Sequence, residues 1–142
     1  MATLKKEGLD GETMVILTSD NGPSFQGSAG GLRGRKYEVF EGGVRVPFIV
    51  RWPGAVPKGT VNETPAMAID LFPTLLSMTG IPLPEDRIID GKNIWPVLNG
   101  RTTEPIDRSL YFFWQDEVLA MREGDLKYHT PHRIAWYNVN YP

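Results

Sequence analysis

Thr13-Met14-Val15-Ile16-Leu17-Thr18-Ser19-Asp20-Asn21-Gly22-Pro23 is the stretch on which the fold turns. Its first six residues are almost wholly apolar and rich in β-branched side chains, the pattern of a strand covered on both faces in a parallel sheet. The run stops at a turn sequence, which places Asp20 and Asn21 at the carboxyl edge of that strand, where α/β sheets build their ligand sites. Their carboxylate and amide oxygens suit a hard cation such as Ca²⁺, which takes about six to eight oxygens, so the pair can supply only part of a shell. Asp-Asn-Gly-Pro is equally good turn chemistry, and the four residues alone leave both readings open.

Upstream, Ala2 to Glu7 reads as the end of an amphipathic helix stopped by Gly8, with no earlier turns before it. Downstream, Ser24 to Val46 has no periodicity, carries glycines at 27, 30, 31, 34, 42 and 43, and concentrates its charge between Arg33 and Arg45. Loops this long are usually functional, and this one is expected to border an active site. Within it Lys36 can act as a point charge on a sulfate or phosphate oxygen, alongside Arg33, Arg35 and Arg45. Glu38 and Glu41 can instead neutralise these cations and leave no ligand site.

Pro47 to Arg51 reads as a second buried strand closed by Trp52-Pro53-Gly54. Asp70 reads as the N-cap of a helix that places Phe72, Leu75, Leu76 and Thr79 on one face, with Pro73 in its first turn and Gly80 at its stop. A turn is expected at Asp90-Gly91 and a short helical piece over Ile94 to Leu98. Leu110 to Trp114, Val118 to Arg122 and Leu126 to Tyr128 then form an antiparallel tail with a hairpin at Glu123-Gly124-Asp125, and Ile134 to Val139 can add a strand. Tyr111, Phe112, Phe113 and Trp114 can line a pocket or fill a core. His129 and His132 are structural rather than metal ligands, because Pro131 breaks the helix that would bring them to one face.

The 142 residues are 41% hydrophobic, enough for a real core and too apolar for disorder. With a net charge of −2 and no basic run longer than Lys5-Lys6, a nucleic-acid or anionic-membrane surface has no support. The chain has no Cys, so disulfides, Cys-ligated zinc and Cys nucleophiles are excluded. No apolar run approaches the ~20 residues of a membrane span, and the first residues are too short and polar for a signal peptide.

Taken together, Thr13 to Pro53 resembles the second signature region of the sulfatase family, of arylsulfatase type, within the alkaline-phosphatase-like superfamily. The matching elements are Ser19-Asp20-Asn21-Gly22, Leu32-Arg33-Gly34-Arg35-Lys36, and Glu41-Gly42-Gly43-Val44-Arg45-Val46-Pro47-Phe48 leading to Trp52-Pro53-Gly54. Asp70 to Leu76, Asp90-Gly91 and Gly124-Asp125-Leu126-Lys127 continue the resemblance. It implies an α/β fold: the C-terminal part of an alkaline-phosphatase-like sandwich over residues 1–100, incomplete at its N-terminus, then a small antiparallel subdomain over 101–142. It further implies that Asp20 and Asn21 are calcium ligands, that Lys36 contacts a sulfate oxygen, and that the substrate is a sulfate ester. For the full-length protein it suggests a periplasmic, secreted or lysosomal location.

The family's nucleophile is a formylglycine made within Cys/Ser-x-Pro-x-Arg, and this sequence contains no such motif. Nor does it contain the family's early Asp-Asp calcium pair. The expectation is therefore a sulfatase fragment that binds Ca²⁺ weakly or not at all and is inactive alone, with an exposed sheet edge that invites self-association. Two rivals stay open. One is a phosphoryl hydrolase of the same superfamily, which tends to place Asp-His after this strand, whereas Asn21 favours calcium. The other is a non-catalytic scaffold or binding domain of sulfatase-like fold.

Overall fold

A computed structural model describes residues 1–131, so the possible strand over Ile134 to Val139 and the position of His132 lie outside the described residues. The element order is α1 (Ala2–Lys6), β1 (Val15–Thr18), α2 (Glu41–Val44), β2 (Phe48–Arg51), a 3₁₀ turn (Ala68–Asp70), α3 (Leu71–Thr79), α4 (Trp95–Leu98), β3 (Leu110–Trp114), β4 (Glu117–Glu123) and β5 (Leu126–His129). The chain packs as two units, Met1–Ile16 with Ile49–Asp107 and Leu17–Phe48 with Arg108–Pro142. β1 and β2 pair in a two-stranded sheet, and the division between the units falls within these strands.

β1 and β2 form where the apolar runs predict strands, but their faces are not covered. Leu17 is 58% exposed and Ile49 59%. A strand buried on both faces needs layers above and below it, and among the described residues these two strands have no such cover.

In the first unit the link from β2 back to the N-terminal segment is polar and specific. Arg51 forms a two-pronged pair with Asp10, both bonds 2.8 Å, and the Trp52 indole N–H donates to the Gly11 carbonyl at 2.7 Å. The Arg51 guanidinium holds the Asp10 carboxyl below the usual aspartate range. The Trp52 ring in turn lies 5.8 Å from Trp95 at the start of α4.

α3 ends as its sequence predicts, on Gly80 in the left-handed conformation (φ 70°), with Ile81 N–H closing onto the Leu76 carbonyl at 3.0 Å. Its buried face is not the one periodicity predicts. Pro73 and Thr74 are buried, whereas Phe72 and Leu75 are 48% and 40% exposed. The anchor is polar: Thr74 Oγ1 donates to the Asp70 carbonyl at 2.6 Å and accepts from Ile94 N–H at 2.9 Å. Asp70 is fully buried and makes no side-chain cap bond to its own helix. Its carboxylate accepts instead from Met67 N–H at 2.7 Å and Lys92 N–H at 2.9 Å, tying the turn before α3 to a segment over twenty residues later. Asp90-Gly91 is not a turn. Gly91 lies against the Ile69 carbonyl, where a Cβ would collide with backbone.

The second unit holds the antiparallel tail. β3 pairs with β4 and β4 with β5, and the two-residue Gly124-Asp125 loop places Glu123 opposite Leu126. Along β3 the aromatics divide by alternation. Phe112 and Trp114 pack against the core of Val39, Leu119 and Ala120, while Tyr111 and Phe113 are 47% and 58% exposed.

Candidate functional site

Asp20 and Asn21 follow β1 directly, in a bend that Gly22 makes possible. Gly22 is buried and donates its N–H to the Gly43 carbonyl at 2.8 Å, and a Cβ at this position would overlap the Gly42 carbonyl oxygen. Gly42 is as constrained. Its N–H donates to the Arg33 carbonyl at 2.7 Å, and its Cα faces the carbonyls of Leu32, Arg33 and Gly34. Gly43 sits against the carbonyls of Arg35 and Glu38. The strand-end turn, the glycine-rich loop and α2 therefore cross at a point where only backbone fits.

The same crossing fixes Lys36, whose N–H donates to the Pro23 carbonyl at 2.9 Å. The oxygen-bearing turn and the loop lysine thus belong to one hydrogen-bonded unit. Asp20 is exposed, and Asn21 Nδ2 donates to its Oδ2, so the amide Oδ1 has no protein donor among the described residues. A carboxylate with a neighbouring amide oxygen is a hard donor pair that fits Ca²⁺, and among the described residues no imidazole or thiolate is gathered with it to favour a softer metal. Among the described residues no group of three or more His, Cys, Asp or Glu is gathered to complete a shell.

The carboxylates of the loop do not neutralise Lys36. Glu38 turns back on its own segment, where its Oε2 accepts from Arg35 N–H at 2.8 Å. Glu41 leaves the loop altogether: Lys127 Nζ on β5 lies 2.8 Å from its Oε1 and Arg122 Nη1 on β4 3.5 Å from its Oε2. The Lys127 ammonium also sits 3.9 Å from the centre of the Phe112 ring. Among the described residues Lys36 has no carboxylate partner, and its ammonium stands 5.4 Å from the centre of the Tyr37 ring. Arg33 stacks over Phe40 at 3.9 Å, and Phe40 packs on His129 with ring centres 4.7 Å apart, so His129 sits in an aromatic contact.

Burial alone would raise the Glu41 carboxyl pKa, but the Lys127 hydrogen bond and the nearby charges of Lys127, Arg122 and Arg45 outweigh it and hold the group below the usual glutamate range. A carboxylate depressed in the folded state stabilises the fold at neutral pH, and that contribution disappears as pH falls through its folded-state pKa. Glu41→Gln is expected to cost about 1–2 kcal/mol at pH 7, since a charged hydrogen bond on a partly exposed pair is lost. The gap to the parent chain should close as pH falls below the usual glutamate range. Urea titrations at several pH values read this, and a gap independent of pH would show that the pair contributes through packing alone.

The sequence shows neither the partners of Glu41 nor the place of Tyr37. Glu41 and Lys127 are 86 residues apart, so no local pattern links them. Tyr37 has a positive φ of 76° next to Lys36, a backbone state that a tyrosine does not advertise in sequence.

The solved structures that this helix-and-sheet chain matches include sulfatases, and their fold is alkaline-phosphatase-like. The sulfatase family model matches residues 1–81, and the chain belongs to the sulfatase family. It is 41% identical to rat (Rattus norvegicus) steryl-sulfatase over 123 residues, which is 80% of this chain and 21% of that protein. It is 40% identical to dog (Canis lupus familiaris) N-acetylgalactosamine-6-sulfatase, over 82% of this chain and 23% of that protein. Among solved structures, the PsFucS1 sulfatase from Pseudoalteromonas sp. superposes with a TM-score of 0.82 at 32% identity, covering 90% of this chain and 27% of that one. The chain thus spans between a fifth and about a quarter of the length of these curated relatives. Among the described residues no helix is long and apolar enough to cross a membrane.

Proposed function

We propose that this chain forms one side of the active site of a sulfate-ester hydrolase, with Asp20 and Asn21 as calcium ligands and Lys36 on a sulfate oxygen. The observation that carries this is the crossing of Gly22, Gly42 and Gly43. It binds the Asp20-Asn21 turn and the Lys36 loop into one backbone-bonded unit and leaves Lys36 without a carboxylate partner among the described residues.

Hydrolysis of a sulfate monoester moves negative charge toward the ester oxygen. Positive charge held in place beforehand lowers the barrier, because no reorganisation is needed as that charge develops. Lys36 supplies one such charge from a loop whose backbone is fixed at Pro23. Asp20 and Asn21 would hold a calcium ion that supplies Lewis-acid polarisation of the sulfuryl oxygens. The attacking group and the remaining metal carboxylates come from polypeptide other than these 142 residues, since no Cys/Ser-x-Pro-x-Arg motif is present. The phosphoryl alternative gains nothing from this site, because Asn21 offers amide oxygen where zinc chemistry wants imidazole.

In a full-length sulfatase carrying this segment, Asp20→Ala is expected to lower kcat/KM for an aryl sulfate by about a hundredfold or more and to weaken activation by Ca²⁺. Lys36→Ala should lower kcat/KM with the calcium dependence unchanged. Zinc-dependent release of phosphate from a monoester, insensitive to both changes, would replace this function with the phosphoryl one. The 142-residue chain alone should hydrolyse no aryl sulfate, and measurable turnover by it would sink the one-sided site.

A further inference from the structure

Tyr37 stands out among the residues around Lys36. It and Gln115 are the two described non-glycine residues with positive φ, at 76° and 51°. For an aromatic side chain that conformation is strained, and such strain persists only where the surroundings impose it. The ring has a defined contact. The Tyr37 ring meets Trp114 edge to face, with centres 6.1 Å apart and planes at 85°, and Trp114 packs against the core of Val39, Leu119 and Ala120. The ring is held against Trp114, yet the residue remains 48% exposed. The Lys36 ammonium lies 5.4 Å from the ring centre.

From this geometry we infer that Tyr37 is a specificity-determining residue of the sulfatase site, an aromatic wall that takes the flat apolar ring of the alcohol portion of the sulfate ester. The inference rests on the assignment of Lys36 to the sulfate. A sulfuryl oxygen hydrogen-bonded to Lys36 lies about 3 Å from its ammonium. The ester oxygen and the first atoms of the alcohol then follow within a few ångströms, inside the reach of a ring centred 5.4 Å from that ammonium. Aromatic pairs favour offset or edge contacts at such separations, and a ring already fixed on Trp114 loses little freedom in making one.

The test uses the full-length sulfatase with 4-nitrophenyl sulfate as substrate and inorganic sulfate as competitive inhibitor, since sulfate occupies the Lys36 position without an alcohol. Tyr37→Gly removes the ring and relieves the positive φ, and Tyr37→Phe keeps the ring. In Tyr37→Gly the KM for the aryl ester should rise roughly three- to tenfold, the Ki for inorganic sulfate should stay the same, and the melting temperature should hold or rise. Tyr37→Phe should restore the parent KM. Parallel loss of KM and Ki would mean that Tyr37 acts only through Lys36, and an unchanged KM with a lowered melting temperature would make it a packing wedge; either overturns the inference. Equal inhibition of the parent and of Lys36→Ala by inorganic sulfate would instead remove the assignment of Lys36, and the inference with it.

Discussion

Asp70→Ala is expected to destabilise the unit containing α3 by about 2–4 kcal/mol, the largest effect of any single polar substitution in this chain. The carboxylate is fully buried and accepts two backbone N–H groups, from Met67 and Lys92. Truncation leaves both donors in partly buried surroundings with no replacement, and each unpaired donor costs about 1–3 kcal/mol. Thr74 adds to the effect, because its hydroxyl bridges the Asp70 carbonyl and the Ile94 N–H, so a shift of the turn is passed on to the start of α4. Asp70→Asn should fall between the two, since its amide keeps one acceptor and turns a donor toward a donor. Urea denaturation measures the loss, and hydrogen exchange at Lys92 should rise in step. A cost below about 1 kcal/mol would show that water replaces the carboxylate at both N–H groups.

Gly42→Ala is expected to disrupt the site itself. The added methyl would overlap the carbonyl oxygen of Gly34 and crowd those of Arg33 and Leu32, all backbone atoms that no rotamer change can move. Relief requires the glycine-rich loop to back away from α2, which breaks the 2.7 Å bond from Gly42 N–H to the Arg33 carbonyl and loosens the segment that carries Lys36. Overpacking of this kind costs about 3 kcal/mol or more where backbone must shift. In a full-length sulfatase, catalysis should fall further than stability alone explains, since a displacement of about 1 Å in a positioning group can cost a hundredfold. Gly54→Ala is the control. Its φ is +82° but nothing lies within 4 Å, so only the backbone cost of about 1–2 kcal/mol applies and the site should be untouched. Equal effects from the two substitutions would mean that the crossing is not what holds the loop.

The contrast between these two glycines marks what was legible in the sequence. Gly80 and Gly124 act locally, as a helix stop and a hairpin turn, and local grammar found them. Gly42 and Gly91 act through chain distant in sequence, and Gly91 was misread as part of a turn for that reason. α3 shows the same limit. Its length and its stop follow from residue types, but which face it buries was decided by the hydrogen bonds that Asp70 and Thr74 accept from the Lys92 and Ile94 N–H groups. An apolar stripe predicts burial only where a neighbour exists to cover it, and Phe72 and Leu75 remain half exposed because none does among the described residues.

The sequence by itself determined the family, the strand that leads to Asp20-Asn21, the helix stops and the antiparallel tail, because each depends on residues adjacent in the chain or on motifs in fixed order. The tertiary structure decided the rest. It brought Pro23, Lys36 and Gly43 onto one crossing, set Glu41 against Lys127 and Arg122 of the tail, made Asp70 a tie between segments, and set Tyr37 against Trp114 beside Lys36. These are contacts across long sequence separations, fixed by the packing of backbone against backbone and of rings against a core, and no pattern along the chain encodes them.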